Sequence, residues 1–311
     1  MINTRKLKDL NKSFLRKLFE MGQHVGLDIL PRHFYSEIPD IRMLKHGHSW
    51  KAPYSMVGIA GVALDAQLTF VRSCLTPEID NHLRGNNVHE DACRANGAGG
   101  FGRIEADLLF AFVASHKPAE ILQIGCGVST EVCVAAADFA GYSPRISCVE
   151  PYPTSRLKQL AAEGTIQLVQ QRAQDTDLAM IDGLSAGALF FVDSTHTLGP
   201  AGEVGRIMLE MLPRLKTGAT VHFHDILFPY DYSRYLMKAE LFFCHESILL
   251  HAFLAYSSRF SILASCSMLH YGATEELRKL LANYAPEKND GGLSAGSGHF
   301  PSSIYLAVNR P

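Results

Sequence analysis

A chain of 311 residues, 47% hydrophobic and 19% charged, is long enough to bury a full core in one large domain, or in one domain with an appendage. Its 29 basic and 31 acidic residues leave a formal charge of -2, which speaks against a global electrostatic pull toward nucleic acid or an anionic membrane. Seven cysteines, an odd number without a C-x-x-C pair, argue against a disulfide framework and a cysteine zinc site, and make a reducing cytoplasm the simplest compartment.

The opening "MINTRKLKDLNKSFLRKLF" is basic but has no continuous apolar core of the kind a signal peptide carries; the membrane reading left to it is an amphipathic helix lying on a surface. Val57 to Phe70 is interrupted by Asp65 and Gln67, is too short to span a bilayer, and reads as a packed helix or strand. The stretch "NGAGGFG" at 96–102 marks a boundary, because strand and helix periods alternate only beyond it. There "IEADLLFAFVASH" has helical spacing and "EILQIG" follows as a short buried strand. "STEVCVAAADFA" and the interval from Glu203 to Leu215 read as helices; "RISCVE", "TIQLVQ", "ALFFVDS" and "ATVHFHD" read as strands. After Asp225 come a helix, "HESILLHAFLAY", and two strands, "FSILAS" and "SSIYLAV". "KNDGGLSAGSGHFP" at 288–301 reads as a turn-rich loop. Seven strands separated by helices predict an α/β fold with a mostly parallel sheet and helices on both faces.

Three strand ends carry chemistry. "QIGCGVST" places Gly125 and Gly127 where the first strand turns into a helix, a turn that brings backbone close to a ligand and offers free N–H groups. It is not a phosphate loop of the Walker type, and Thr130 stands where a dinucleotide fingerprint has its third glycine, so a plain tight turn stays open. Glu150 ends the second strand, where a carboxylate can accept from both ribose hydroxyls; a solvated strand end or a helix cap is the alternative. Cys126 reads as a small packing residue. "FFVDSTHT" and "VHFHDI" end neighbouring strands on Asp193, with His196 three residues on, and on His224 and Asp225. Ligands bind at this edge of open α/β sheets, so these residues should converge. His222 reads as a hydrogen-bonded core or supporting histidine, and His33 as structural.

Taken in order, "ILQIGCGVST", "CVEPYP", "FFVDSTHT", "LPRLKTGATVHFHDI" and the terminal strand pair resemble the class I S-adenosylmethionine-dependent methyltransferases over roughly residues 103 to 308. The closer likeness is to a bacterial small-molecule subgroup with G-x-G-x-S-T, V-D-S-x-H and H-F-H-D-I blocks. The resemblance implies a Rossmann-like sheet with the seventh strand antiparallel beside the fifth. It further implies a domain at 101–311 that binds S-adenosylmethionine and an accessory cap at 1–100 shaping the acceptor site, to which "FYSEIP" at 34–39 would contribute. The cofactor residues carried over are Gln123, Gly125, Gly127, Ser129, Glu150, Asp175 and Asp193, with the methionine moiety on Gly125 to Gly127 and Asp175 near adenine. Gln123 departs from the acidic residue many members place there.

Asp193, His224 and Asp225 resemble the divalent-metal site of catechol-type and macrolide-sugar O-methyltransferases, although the imidazole shifts the preference from Mg toward Mn, Fe or Zn. Direct substrate or cofactor contacts without a metal are the alternative. His196 falls where those enzymes carry a catalytic lysine and is the candidate general base, with His224 second in line; the competing role for His196 is to cap the turn or support Asp193. The function implied is methylation, at oxygen by preference, of a small-molecule acceptor such as a sugar, phenol, carboxylate or polyketide. The partner is that acceptor, with no nucleic acid and no stable membrane insertion, and a homo-oligomer is compatible with it. A nicotinamide-dependent oxidoreductase, a metal-dependent hydroxylase on the same fold and a non-enzymatic binding protein are the rival readings.

Overall fold

The computed structural model describes residues 4–36, 38–46, 52–232, 241–281, 283–285 and 301–310. Residues 288–300 of the turn-rich stretch, His299 among them, and Glu37 of "FYSEIP" lie outside the described residues. The chain forms two compact units, residues 1–46 and 47–311. The first contains helices α1 (Thr4–His24) and α2 (Ile41–His46).

The second unit opens with α3 (Leu64–Cys74), α4 (Pro77–Gly85) and α5 (Val88–Asn96). Local chemistry sets their ends: the Thr76 side chain accepts from Ile79 N with Pro77 following, and the Asn87 side chain accepts from Glu90 N. Gly97 takes the left-handed conformation that closes α5. Helix α6 (Arg103–His116) is buried at every position from Ile104 to Ala114, which includes Glu105 and Asp107.

Strands and helices then alternate: β1 (Glu120–Ile124), α7 (Val128–Phe139), β2 (Arg145–Val149), α8 (Ser155–Ala162), β3 (Gln167–Val169), α9 (Ala179–Asp182), β4 (Leu189–Val192) and α10 (Glu203–Arg206). Helix α10 runs on through a π turn at Ile207–Met211 and a 3-10 turn at Leu212–Arg214, so the predicted helix after Glu203 is real but irregular. There follow β5 (Thr220–Phe223), α11 (Glu246–Leu254), β6 (Phe260–Ser265), α12 (Cys266–Gly272), α13 (Thr274–Leu280) and β7 (Ile304–Val308).

The strand order is β3-β2-β1-β4-β5-β7-β6. The first five strands are parallel, and β7 runs antiparallel between β5 and β6. Successive strand residues alternate between two cores: Ile121, Cys148, Leu189, Phe191 and Tyr305 face α3 to α7, whereas Leu122, Val149, Phe190, Val192 and Phe223 face the other layer. Each buried phenylalanine contributes roughly 1.5–3 kcal/mol. The reversal of strand order at β1 and β4 leaves a crevice at their carboxyl ends, and the candidate site lies there.

Candidate active site at the carboxyl edge of the sheet

Gly125 leaves β1 with φ +80°, and a Cβ on it would lie 1.8 Å from the carbonyl oxygen of Asp193. The main chains of the β1 and β4 ends therefore meet at a point that only glycine fits. Gly127 is different, because a Cβ there would meet nothing closer than the Asn96 amide at 3.5 Å. A Cβ on Gly127 would make only ordinary contact with Asn96, beside the first turn of α7. Glu150 stands across the turn, accepting from Cys126 N at 3.2 Å and Tyr152 N at 2.8 Å. Gln123 and Ser129 are buried beneath it and bonded to each other at 3.4 Å, so both support the turn from the core side. Burial pushes the Cys126 thiol well up, which fits packing and not nucleophilic attack. Asp175 lies beyond β3, exposed and paired with Arg172 at 2.8 Å.

The β4 and β5 ends bring together four of the predicted residues. His224 Nδ1 is 3.3 Å from Asp193 Oδ1 and 3.5 Å from Asp225 Oδ1. His196 Nε2 is 3.5 Å from both Asp193 Oδ1 and Asp225 Oδ2. Asp193, His196 and Asp225 each offer one donor atom, all within 4.8 Å of one another, so the third member of this cluster is His196 where the resemblance had suggested His224. The side chains of Asp193 and Asp225 are 28% and 39% exposed, open enough for a ligand to reach them.

Sequence reasoning missed three residues behind this cluster. Glu246, at the start of α11, is fully buried and its Oε2 lies 2.7 Å from His196 Nδ1. Ser302 donates from Oγ to Asp225 Oδ1 at 2.9 Å, and Glu105 Oε1 accepts from Ser302 N at 2.6 Å. The available signal was an acidic residue inside an otherwise apolar helical run, "IEADLLF" and "HESILLHAFL", which also fits an ordinary first-turn helix charge. His222 is buried as predicted but not hydrogen-bonded: neither ring nitrogen has a partner among the described residues. It stacks on Tyr305 with 4.5 Å between ring centroids and meets Phe191 edge-on, and burial drives its pKa down to about 3, so it is a neutral core ring.

Burial raises the Asp193 carboxyl, but His224 and His196 more than reverse this and hold it well below the usual range. Burial opposes charge on both histidines, yet bonds to Asp193 and Glu246 with the charge of Asp225 push His196 well above its ordinary value. The charges of Asp225 and Asp193 push His224 up to about 10. Without a cation among these carboxylates, both imidazoles hold their protons at neutral pH. Asp225 and His196 also sit at φ +57° and +58°, a left-handed conformation costing of order 1–3 kcal/mol in a residue other than glycine.

Residues 122–226 match the model of a family described as a methyltransferase domain. The seven-stranded, mostly parallel sheet is Rossmann-like, and the matched segment, from β1 to the end of β5, is where this chain is similar to methyltransferase domains. An uncharacterized protein of Archaeoglobus fulgidus is 26% identical over 182 residues, 54% of this chain and 79% of its own length. Among solved structures, the S-adenosylhomocysteine-bound methyltransferase PaMTH1 of Podospora anserina is 14% identical, with 91% of this chain and 99% of that one covered and a TM-score of 0.39. A methyltransferase from Geobacter sulfurreducens is 17% identical over 50% of this chain and 82% of its own, with a TM-score of 0.33. No described helix is long and apolar enough to cross a membrane.

Proposed function

We propose that this chain transfers a methyl group from S-adenosylmethionine to an oxygen of a small molecule, assisted by a divalent cation. The observation that carries the reading is the convergence of Asp193, His196 and Asp225 beside a glycine turn at the carboxyl edge. The turn suits the methyl donor, since Gly127 bares backbone at the first turn of α7 and Glu150 stands across from it. The first hundred residues join this reading through Asn96, whose side chain lies against Gly127. Two carboxylates and an imidazole suit a cation of the Mn, Fe or Zn type, with Mg less favoured.

When bound, S-adenosylmethionine supplies a methyl carbon already activated by its sulfonium, and the cation supplies a Lewis acid that lowers the acceptor's pKa. The chain's own residues do the rest. Asp193 and Asp225 fix where an acceptor hydroxyl can sit, and His196 Nε2, aimed between them, has one lone pair that serves one role at a time. It takes the hydroxyl proton when the two aspartates alone hold the cation, and leaves that step to His224 or solvent when it is itself a ligand. The acceptor oxygen then forms its bond to the methyl carbon as the carbon–sulfur bond breaks, the electron pair remaining on sulfur. Oxygen, carbon and sulfur must be nearly collinear, so positioning supplies much of the acceleration. The acceptor classes in keeping with this are sugars, phenols, carboxylates and polyketides.

The test is calorimetric binding of S-adenosylmethionine followed by transfer of a labelled methyl group to a panel of those acceptors. Transfer should stop on exhaustive chelation and return with added Mn, Fe, Zn or Mg. Labelling at nitrogen or carbon only would refute the oxygen assignment; full activity after chelation would remove the cation.

A further inference from the structure

We propose that Glu246 is the positioning residue for His196. Its buried carboxylate accepts the Nδ1 proton and so turns Nε2 into the space between Asp193 and Asp225. This rests on the reading of that edge as the reaction centre.

The two side chains are 50 residues apart in sequence, yet the Oε2 to Nδ1 distance is 2.7 Å, with Glu246 wholly buried and His196 4% exposed. A neutral imidazole has one N–H and one lone pair, and which nitrogen carries which is set by the partner of the other. A carboxylate can only accept. Glu246 therefore places the N–H on Nδ1 and leaves Nε2 as the atom that faces the two aspartates at 3.5 Å. Taking a proton and holding a cation both require this tautomer, so the proposal is the same for either role of His196.

The main chain tightens the same grip. His245 N and Glu246 N donate to the carbonyl oxygen of His196 at 2.8 and 3.2 Å, so the first turn of α11 holds the histidine by ring and backbone together. This clasp offsets the left-handed φ of +58° at His196, a conformation uncommon outside glycine. Glu246 Oε1 is buried without a hydrogen-bond partner among the described residues. A buried acid satisfied on one oxygen only is a poor way to stabilise a fold, because desolvation costs several kcal/mol per ion. A positioning role accounts for its place.

The experiment uses the full chain labelled with 15N-histidine, with the His196 Nδ1 proton resonance assigned through its loss in His196→Gln. Glu246→Ala should remove the far-downfield Nδ1 signal and lower Zn affinity, read by calorimetry, about tenfold to a hundredfold. Glu246→Gln, of equal volume and still able to accept through its amide oxygen, should shift the signal upfield and lower Zn affinity less. Both should bind S-adenosylmethionine as the wild type does. Unchanged Nδ1 resonance and unchanged Zn affinity in folded Glu246→Ala would overturn the proposal, and if that variant does not fold, the same two results in Glu246→Gln would. A wild type that binds no Zn, Mn, Fe or Mg refutes the cation reading of the site, while the nitrogen-bound proton still decides Glu246.

Discussion

Around β1 and β2 the polar side chains bordering the glycine turn are matched to one another: Gln123 to Ser129, Thr130 to Gly127 N, and Glu150 to two backbone amides. Around β4 and β5, only two strands away, the pattern inverts. His224 Nε2, Glu246 Oε1 and Ser194 Oγ are buried without partners among the described residues, two residues sit at left-handed φ, and three acids crowd one imidazole. A satisfied rim holds its shape at little cost and can receive a large ligand on backbone groups. A crowded, half-satisfied array stores charge that a cation or a reacting oxygen completes. Under the proposed function, this difference matches binding to the first region and chemistry to the second.

The comparison breaks first at the aspartates. Asp193→Asn or Asp225→Asn should abolish measurable cation binding and lower methyl transfer about a thousandfold, the scale of the several kcal/mol a Lewis acid supplies, with S-adenosylmethionine binding retained. If either variant instead loses the methyl donor and keeps the cation, the two regions are not separable.

The two glycines sharpen the same point. Gly125→Ala forces a methyl into the Asp193 carbonyl and should cost about 3 kcal/mol or more, seen as a fall of roughly 5 °C or more in melting temperature. Gly127→Ala makes only ordinary contact with Asn96 and should melt like the wild type, but weaken S-adenosylmethionine binding by about tenfold where the proposed donor lies against this backbone. Equal stability losses in both would make Gly127 architectural.

His196→Gln should lower turnover by about a hundredfold, the scale of a lost general base, and leave methyl-donor affinity nearly intact. A near-wild-type rate would pass the proton transfer to His224 or to solvent.

The smallest effect separates burial from pairing. Asp107 is more deeply buried than Asp193 or Asp225 and has no histidine against it: Asn283 bonds one oxygen at 2.9 Å, and the other is without a partner among the described residues. Burial raises its pKa from 3.8 to about 6. Between those values the folded chain keeps a proton that the unfolded chain has released, so stability falls as pH rises through this window and stays lower above it. Asp107→Asn should leave the melting temperature unchanged below about pH 4 and raise stability at pH 8 by about 2 kcal/mol. Asp193, whose pKa is lowered by its histidines, has the opposite sign: its contribution is present above its ordinary pKa and lost as pH falls.

The sequence by itself determined the sheet and its chemistry-bearing ends. Alternating periods located β1 to β7, because a parallel strand buried on both faces must be an apolar run and must break where its carboxyl end meets the crevice. For that reason Gly125, Glu150, Asp193 and Asp225 were legible as strand ends, and the ordered blocks added the cofactor. What only the tertiary structure decided is which side chains touch. Glu246 reaches His196 across 50 residues, and Glu105 reaches Asp225 through Ser302 across 197 and 77. A first-turn glutamate in a helix looks the same in sequence whether it faces water or an imidazole. The aim of His196 between the aspartates was equally hidden, since it depends on a left-handed backbone and a clasp from α11, and these follow from how the helix docks and not from any local pattern.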